Sequence, residues 1–289
     1  MEKKYFILRN TAWFCISLYY SRKEWGRLLR EIRSYYEMKK PLFTHCTLFL
    51  SEEHGEHVQV ALSLSADSDL EALQQETDDY FRAFMSSYPS FEPKPFRYGA
   101  HLWGNYANNS VEWNRFEYKW VRYGQFFDFS QTTSFLLIDL LEDDCSPDNT
   151  LLMALFLCTK ALRIFSETNE DKPDELIYHA LKVMATEALY NSFVTGFDLK
   201  KTLALYEIDF TSIMEVIAQF WQYGEDAVIE TDPVYRHWVD ELRKTASANI
   251  DSYLQINRLL WDHFYVSDTL KLLIMYLLKA YQIKLSNNG

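Results

Sequence analysis

Three stretches of this chain hold residues whose types and spacing could do chemistry. The first is Asp251-Ser252-Tyr253-Leu254-Gln255-Ile256-Asn257-Arg258-Leu259, a polar strip that interrupts an otherwise regular helical pattern. At helical spacing its hydroxyl, amide and charged groups can face inward together. Tyr253 could donate a proton or hydrogen-bond to a substrate amide; it could equally be a core tyrosine bonded to backbone. Asn257 and Arg258 read more simply as a brace between helices. The second stretch runs from Phe116 to Gln125 and contains Lys119, Arg122 and Tyr123. Arg122 either grips a carbonyl or carboxylate with its planar fork or pairs one of the 41 acidic residues, and Lys119 on a strand reads as a solvated lysine. The third is His57-Val58-Gln59-Val60-Ala61, where alternation puts positions 59 and 61 on one sheet face. His57 ends a hairpin turn and is expected to be exposed.

Other chemistries find no pattern to rest on. Cys15, Cys46, Cys145 and Cys158 form no C-x-x-C pair, and three of them sit in apolar runs as small buried hydrophobes. His179, His237 and His263 fall in different helical segments without metal-ligand spacing. Gly55 among acidic neighbours reads as a turn, and no Gly-x-Ser-x-Gly, Walker or Rossmann pattern occurs. No metal, nucleophile or redox cofactor is therefore expected.

The elements that must position these residues begin with a β-branched and aromatic strand, Trp13 to Tyr20. Ser21-Arg22-Lys23-Glu24 has the form of a capping box for an amphipathic helix from Lys23 to Lys39, whose apolar stripe is Trp25, Leu28, Leu29, Ile32 and Tyr36. Thr44 to Leu50 and His57 to Leu64 form a hairpin. Ser68-Asp69-Leu70-Glu71 opens a second helix through about Met85, and Val111 to Tyr123 is strand-like. Residues 1–125 thus read β-α-β-β-α-β, a ferredoxin-like pattern. Residues 126–289 read as helices over Thr133 to Leu141, Ser146 to Ile164 with Pro147 at the first helical position, Asp174 to Val194, Ile208 to Tyr223, Val234 to Phe264 and Asp268 to Leu285. Eight glycines and the absence of a low-complexity linker argue for a single α+β unit over residues 1–289 with a helical C-terminal half.

Bulk composition narrows the partners. A formal charge of −12 without a basic stripe speaks against nucleic acid. The apolar segment Leu270 to Ile283 is short and holds Lys271 and Lys279, so no membrane span is expected. The N-terminus lacks a signal h-region, and a cytoplasmic location follows as an expectation. Aromatics make up 17% of the chain, either as core or as a groove for planar, apolar substrates. A peptide recognition segment is expected to meet acidic and aromatic surface. A homodimer stays among the expectations.

The same three stretches resemble a family signature. The glutamate-eliminating (SpaB C-terminal-like) domain of class I lanthipeptide and thiopeptide dehydratases carries a helix like Ser-x-x-His-Met-x-x-Asn-Arg-Leu; aligned on Asn257-Arg258-Leu259, Tyr253 stands at the histidine. That family opens with a strand ending in aromatics and a long helix, as in Trp13 to Tyr36. Its strand Tyr-x-x-Glu-x-x-Arg-Tyr-Gly-Gly is similar to Phe116–Gln125 here, with Lys119 at the glutamate and Arg122 retained. The family's later Asp-Ser looks like Thr133-Ser134. Its hairpin strand His-Ile-Arg-Leu-Arg becomes His57-Val58-Gln59-Val60-Ala61, so both arginines are gone.

Within that scaffold the pattern resembles the thiopeptide pyridine synthases more closely. The resemblance implies a cofactor-independent macrocyclase that joins two dehydroalanines by a formal [4+2] cycloaddition and forms a pyridine with loss of water and leader peptide. It implies Tyr253 and Arg122 as catalytic residues and Lys119, Tyr123, Gln59 and Asn257 as substrate contacts. The implied partner is a precursor peptide with a leader and a dehydrated, azole-containing core. Two alternatives stand: a non-catalytic leader-binding scaffold, and a stand-alone glutamate-eliminating dehydratase subunit.

Overall fold

The structure, a computed structural model, describes residues 5–8, 10–65, 69–91, 106–113, 126–169, 172–186, 197–222, 232–246 and 251–288. Lys119, Arg122 and Tyr123 lie outside the described residues. The chain gathers into two compact units. One comprises Met1–Thr150 with His263–Tyr265; the other comprises Leu151–Asp262 with Val266–Gly289.

The first unit holds a five-stranded antiparallel sheet: β1 (Tyr5–Leu8), β2 (Thr11–Tyr19), β3 (Phe43–Ser51), β4 (His57–Leu64) and β5 (Ser110–Trp113). β4 pairs one edge of β2 along Trp13–Tyr19. β1 pairs Thr11–Phe14 and β5 pairs Ile16–Tyr19, so these two short strands follow one another along the other edge. With β3 beside β4, the β-α-β-β-α-β order expected from the sequence is realised as β5-β2-β4-β3. β1 was not anticipated; four residues are too few for periodicity to register.

Alternation sorts the sheet into two faces. Phe14, Ile16, Leu18, Leu48, Leu50, Val58, Val60 and Leu62 are buried on one of them. Helices α1 (Trp25–Lys39) and α2 (Leu70–Ser87) cover it. Tyr35 of α1 meets Phe43 of β3 and Phe81 of α2, and its hydroxyl shares a 2.7 Å hydrogen bond with Thr77. Trp113 of β5 donates to Asp78 of α2 at 2.8 Å. Helix α3 (Phe127–Leu141) lies along β3 and blunts that sheet edge: Gln131 and Ser134 accept from the outward N–H groups of Cys46 and Leu48 at 2.8 and 2.9 Å.

The Ser21 capping box does not form. Residues Arg22–Glu24 make a 3₁₀ turn, and α1 starts at Trp25. The Arg22 N–H is taken by the Glu56 carboxylate at 2.6 Å, and the Ser21 N–H by the Ser90 hydroxyl at 2.9 Å. Glu24 has no N–H left to reach back to, and the Ser21 hydroxyl is buried without a partner among the described residues. At α2 the cap is Asp69, which accepts from Ala72 at 3.2 Å; Ser68 lies outside the described residues. α3 begins at Phe127, a turn and a half before the expected Thr133.

Gly26 fixes how α1 meets the end of α3. A Cβ there would come within 2.0 Å of the Glu142 carbonyl oxygen, backbone that cannot rotate aside. Gly26→Ala is therefore expected to destabilise the protein despite alanine's better helix propensity, by about 1–3 kcal/mol of overpacking. A melting temperature equal to wild type would show that the helices can separate without cost.

The second unit is helical. Helix α4 (Pro147–Asn169) begins in the first unit, with the Ser146 hydroxyl accepting from Asn149 at its start as Ser146-Pro147 suggested. Then come α5 (Pro173–Thr186), α6 (Leu199–Leu205), α7 (Phe210–Gln222), α8 (Pro233–Ala246), α9 (Asp251–His263) and α10 (Asp268–Asn288). The expected single segment from Val234 to Phe264 is thus two helices, and α6, capped by Asp198 on Lys201 at 3.1 Å, was missed. Pro147–Thr168 is apolar and long enough to cross a membrane, but 67% of that window is buried inside the protein, as a core helix would be.

Candidate functional site

The sheet face opposite α1 and α2 is polar and yet buried. It collects Ser17, Thr47, Ser51, His57, Gln59 and Ser63, all fully or almost fully buried. The register explains the gathering: Ser17 stands across from Gln59 and Gln59 across from Phe49, while the next row is Cys15, Ala61 and Thr47. Trp13, Cys15, Phe49 and Ala61 pack as a cluster under Phe6, Leu8 and Phe127.

His57 was expected to be exposed and is 2% exposed. Its side chain turns onto the sheet, where its ring stacks on Tyr19 with centroids 4.4 Å apart. Its Nδ1 lies 2.8 Å from the Gly55 carbonyl, which can only accept, so Nδ1 carries the proton. Its Nε2 lies 3.1 Å from the Gln59 side-chain amide, which donates to it when the ring is neutral. In that arrangement the Gln59 Oε1 is buried without a partner among the described residues, as are the Ser17 and Thr47 hydroxyls. Three such groups on one face are unusual, because each costs about 1–3 kcal/mol of lost hydration. The face carries hydroxyl, amide and imidazole groups, and no cation at position 59 or 61.

His263 closes the same unit. Its ring stacks on Phe49 at 4.6 Å and its Nε2 lies 3.0 Å from the Ser130 hydroxyl. Burial lowers its pKa from 6.5 to about 3, countered in part by the Leu48 backbone. Between pH 6.5 and 3 the unfolded chain binds a proton here that the folded chain does not, so this group's contribution to stability falls as pH falls, by up to about 1.4 kcal/mol per pH unit. Denaturant titrations of His263→Asn against wild type across that window should show a flatter pH dependence in the variant. Parallel curves would mean that His263 titrates normally.

In the second unit, Tyr253, Asn257 and Trp261 repeat every four residues on one side of α9, each at most 1% exposed. The Tyr253 ring meets Phe165 of α4 edge-on at 5.5 Å, with Cys158 close by. Burial, reinforced by the Cys158 thiol, pushes the Tyr253 hydroxyl well above its ordinary pKa. It is a poor acid in this setting and stays a hydrogen-bond donor. Asn257 spends its amide N–H on the Tyr253 backbone carbonyl at 2.8 Å, so it is an intrahelical brace at this point. The Tyr253 hydroxyl and the Asn257 side chain, one turn apart, interact with each other, which offsets part of the rise in the hydroxyl's pKa, but the pair does not meet ordinary hydrogen-bond geometry and neither the hydroxyl nor Asn257 Oδ1 has another partner among the described residues.

The structure thus joins Tyr253 to Asn257, and Gln59 to His57. Sequence reasoning set His57 aside as exposed and did not single out Ser17 or Thr47. Their parity along the strands was visible, but the register that lines them up was not. All four cysteines are buried free thiols. Among the described residues no group of His, Cys, Asp or Glu could hold a metal ion.

These elements define a mixed α+β protein with a small antiparallel sheet and a helical C-terminal part. No family model matches the sequence, and no curated protein matches it. A solved structure with the same fold is the pyridine synthase TbtD from thiomuracin biosynthesis, with a TM-score of 0.61 and 13% identity over 96% of this chain and 99% of that one. At that identity the likeness speaks for the fold.

Proposed function

We propose that this chain is a peptide-cyclising enzyme of the pyridine synthase type. It would join two dehydroalanines of an azole-bearing precursor by a formal [4+2] cycloaddition, the ring then losing water and the leader peptide. The observation that supports this reading is the likeness to a pyridine synthase over nearly the whole of both chains, joined to an Asn257-Arg258-Leu259 frame with Tyr253 in place of a histidine. Such a reaction needs positioning above all, which can supply about 7–11 kcal/mol of a barrier. In this reading the Tyr253 hydroxyl donates a hydrogen bond to the amide whose iminol form is the azadiene. Arg122 holds a carbonyl of the core or leader, and Lys119, Tyr123, Gln59 and Asn257 line the peptide.

Mass spectrometry tests the proposal with a dehydroalanine-containing, thiazole-bearing precursor, following both macrocycle and released leader. A second reading, a leader-binding scaffold without catalysis, is favoured by the burial of Tyr253 at 1% exposure. Leader binding without turnover would select it. Glutamate elimination is the weakest option, since Gln59 and Ala61 supply no charge for a leaving carboxylate.

A further inference from the structure

A β-bulge at one end of the polar sheet face gathers a second set of chemistry-bearing side chains. Phe43 pairs with Leu64 and His45 with Ser63, so Thr44 is an extra residue in the register of β3. Regular alternation would send Thr44 and His45 to opposite faces of the sheet. The bulge re-aims them to one side. Thr44 Oγ1 and Ser63 Oγ lie 3.3 and 3.2 Å from His45 Nδ1, and the two hydroxyls hydrogen-bond to each other. Across the ring, His45 Nε2 is 3.1 Å from Asp128 Oδ1, in the first turn of α3. Trp13 and Phe127 flank the imidazole, each with its ring centroid 6.2 Å away.

The groups stand in the order carboxylate, imidazole, hydroxyl. An ionised carboxylate only accepts, so Nε2 carries a proton and Nδ1 of the neutral ring is left to accept. One hydroxyl gives its proton to the other, and the second proton goes to Nδ1. If Ser63 donates to Thr44, Thr44 donates to the imidazole directly. If Thr44 donates to Ser63, Ser63 donates onward. In both senses the Thr44 proton has a route to Nδ1. The hydroxyls differ in access: Ser63 is fully buried and Thr44 is exposed, so Thr44 is the one that can meet a substrate.

We infer that Thr44 is a nucleophilic hydroxyl with His45 as its general base, oriented by Asp128, and that it takes the acyl group of an activated ester. A nucleophile bonded to a base, and a base oriented by a third group, are the parts such a step needs. Thr44 Oγ1 attacks the acyl carbon while its proton passes to His45 Nδ1. The alcohol or phenol leaves with the electrons of the broken C–O bond and takes that proton. Water, deprotonated by the same imidazole, then cleaves the Thr44 ester and returns the hydroxyl and a free acid. The setting is open to solvent and gives little help to the oxyanion, so good leaving groups suit it and amides do not. This activity is separate from cyclisation, and neither depends on the other.

p-Nitrophenyl acetate tests it on the full chain, with nitrophenolate release followed by absorbance and the acetylated residue located by peptide mass spectrometry. Acetyl is expected on Thr44. Thr44→Val keeps the shape and removes the hydroxyl, so release should fall about 10²-fold, the low end of a general base's worth at an open site. Thr44→Ser should restore it, and His45→Gln should lose about as much as Thr44→Val. Asp128 acts through the ring, and its side chain is largely exposed. Asp128→Ala should therefore cost less, about tenfold, and the nitrogen chemical shifts of His45 should report the loss of a single tautomer. Melting temperatures of the Thr44 variants, at an exposed position, should stay near wild type. Unchanged release by Thr44→Val or His45→Gln, or acetyl found only on lysines, would overturn the inference and leave the corner as a hydrogen-bonded brace of the bulge. An unchanged rate and tautomer in Asp128→Ala would overturn the orienting role of the carboxylate.

Discussion

Tyr253→Phe is expected, in the cyclase reading, to lower cyclisation by about 10²–10³-fold, the usual worth of one positioned hydrogen-bond donor where charge develops, while making the protein slightly more stable. The two halves come from one observation. The hydroxyl is buried in an aromatic and thiol environment, without a hydrogen bond of ordinary geometry. Stability alone would favour phenylalanine, which fills the same space and removes an unsatisfied polar atom costing about 1–3 kcal/mol. A tyrosine kept in that setting, with only a strained contact to Asn257, is consistent with the substrate role proposed for it. A purely structural tyrosine would give the stability gain and no rate loss. The measurement is therefore a melting curve and a single-turnover cyclisation assay on the same preparation. Full activity in a stabilised variant would remove Tyr253 from the mechanism. Because the elevated pKa keeps the hydroxyl protonated at neutral pH, no rate change from its ionisation is expected below pH 9.

What the sequence made legible follows the range of the interactions involved. The helices α1, α2 and α4 and the stripe of Tyr253 and Asn257 rest on neighbours within seven residues, and the hairpin β3–β4 on a short turn between two alternating runs, so alternation or helical spacing exposes them. The α2 cap shifted by one residue, from Ser68 to Asp69, within the usual blur of helix ends. The features that escaped depend on distant partners. The Ser21 box is dismantled by Glu56 and Ser90, 34 to 69 residues away along the chain. The burial of His57 requires Tyr19 across the register and Gln59 beside it. Lys119, Arg122 and Tyr123 keep their sequence-based roles as proposals.

Restoring the two arginines of the elimination-type strand should destroy the fold rather than recover that activity. Ala61 is fully buried in a cluster with Trp13, Cys15 and Phe49, and its register partners are Cys15 and Thr47. A guanidinium there would displace three core side chains and meet a hydroxyl and a thiol in place of a carboxylate. Overpacking costs about 1–3 kcal/mol and an unpaired buried ion several more, against a total stability of about 5–15 kcal/mol for a typical domain. Ala61→Arg is therefore expected to yield unfolded or aggregated protein. Gln59→Arg should fare nearly as badly, since it also strips His57 of the amide that donates to its Nε2. Gln59→Leu is the control: it removes the orphaned Oε1 together with the donor, and a loss of under about 2 kcal/mol is expected from the one broken hydrogen bond. Circular dichroism and denaturant midpoints on the three variants separate these outcomes. A folded Gln59→Arg/Ala61→Arg protein that eliminates glutamate would return the chain to the elimination class. Collapse of Ala61→Arg beside an intact Gln59→Leu would mean that the absence of cations in this strand is a commitment of the packing.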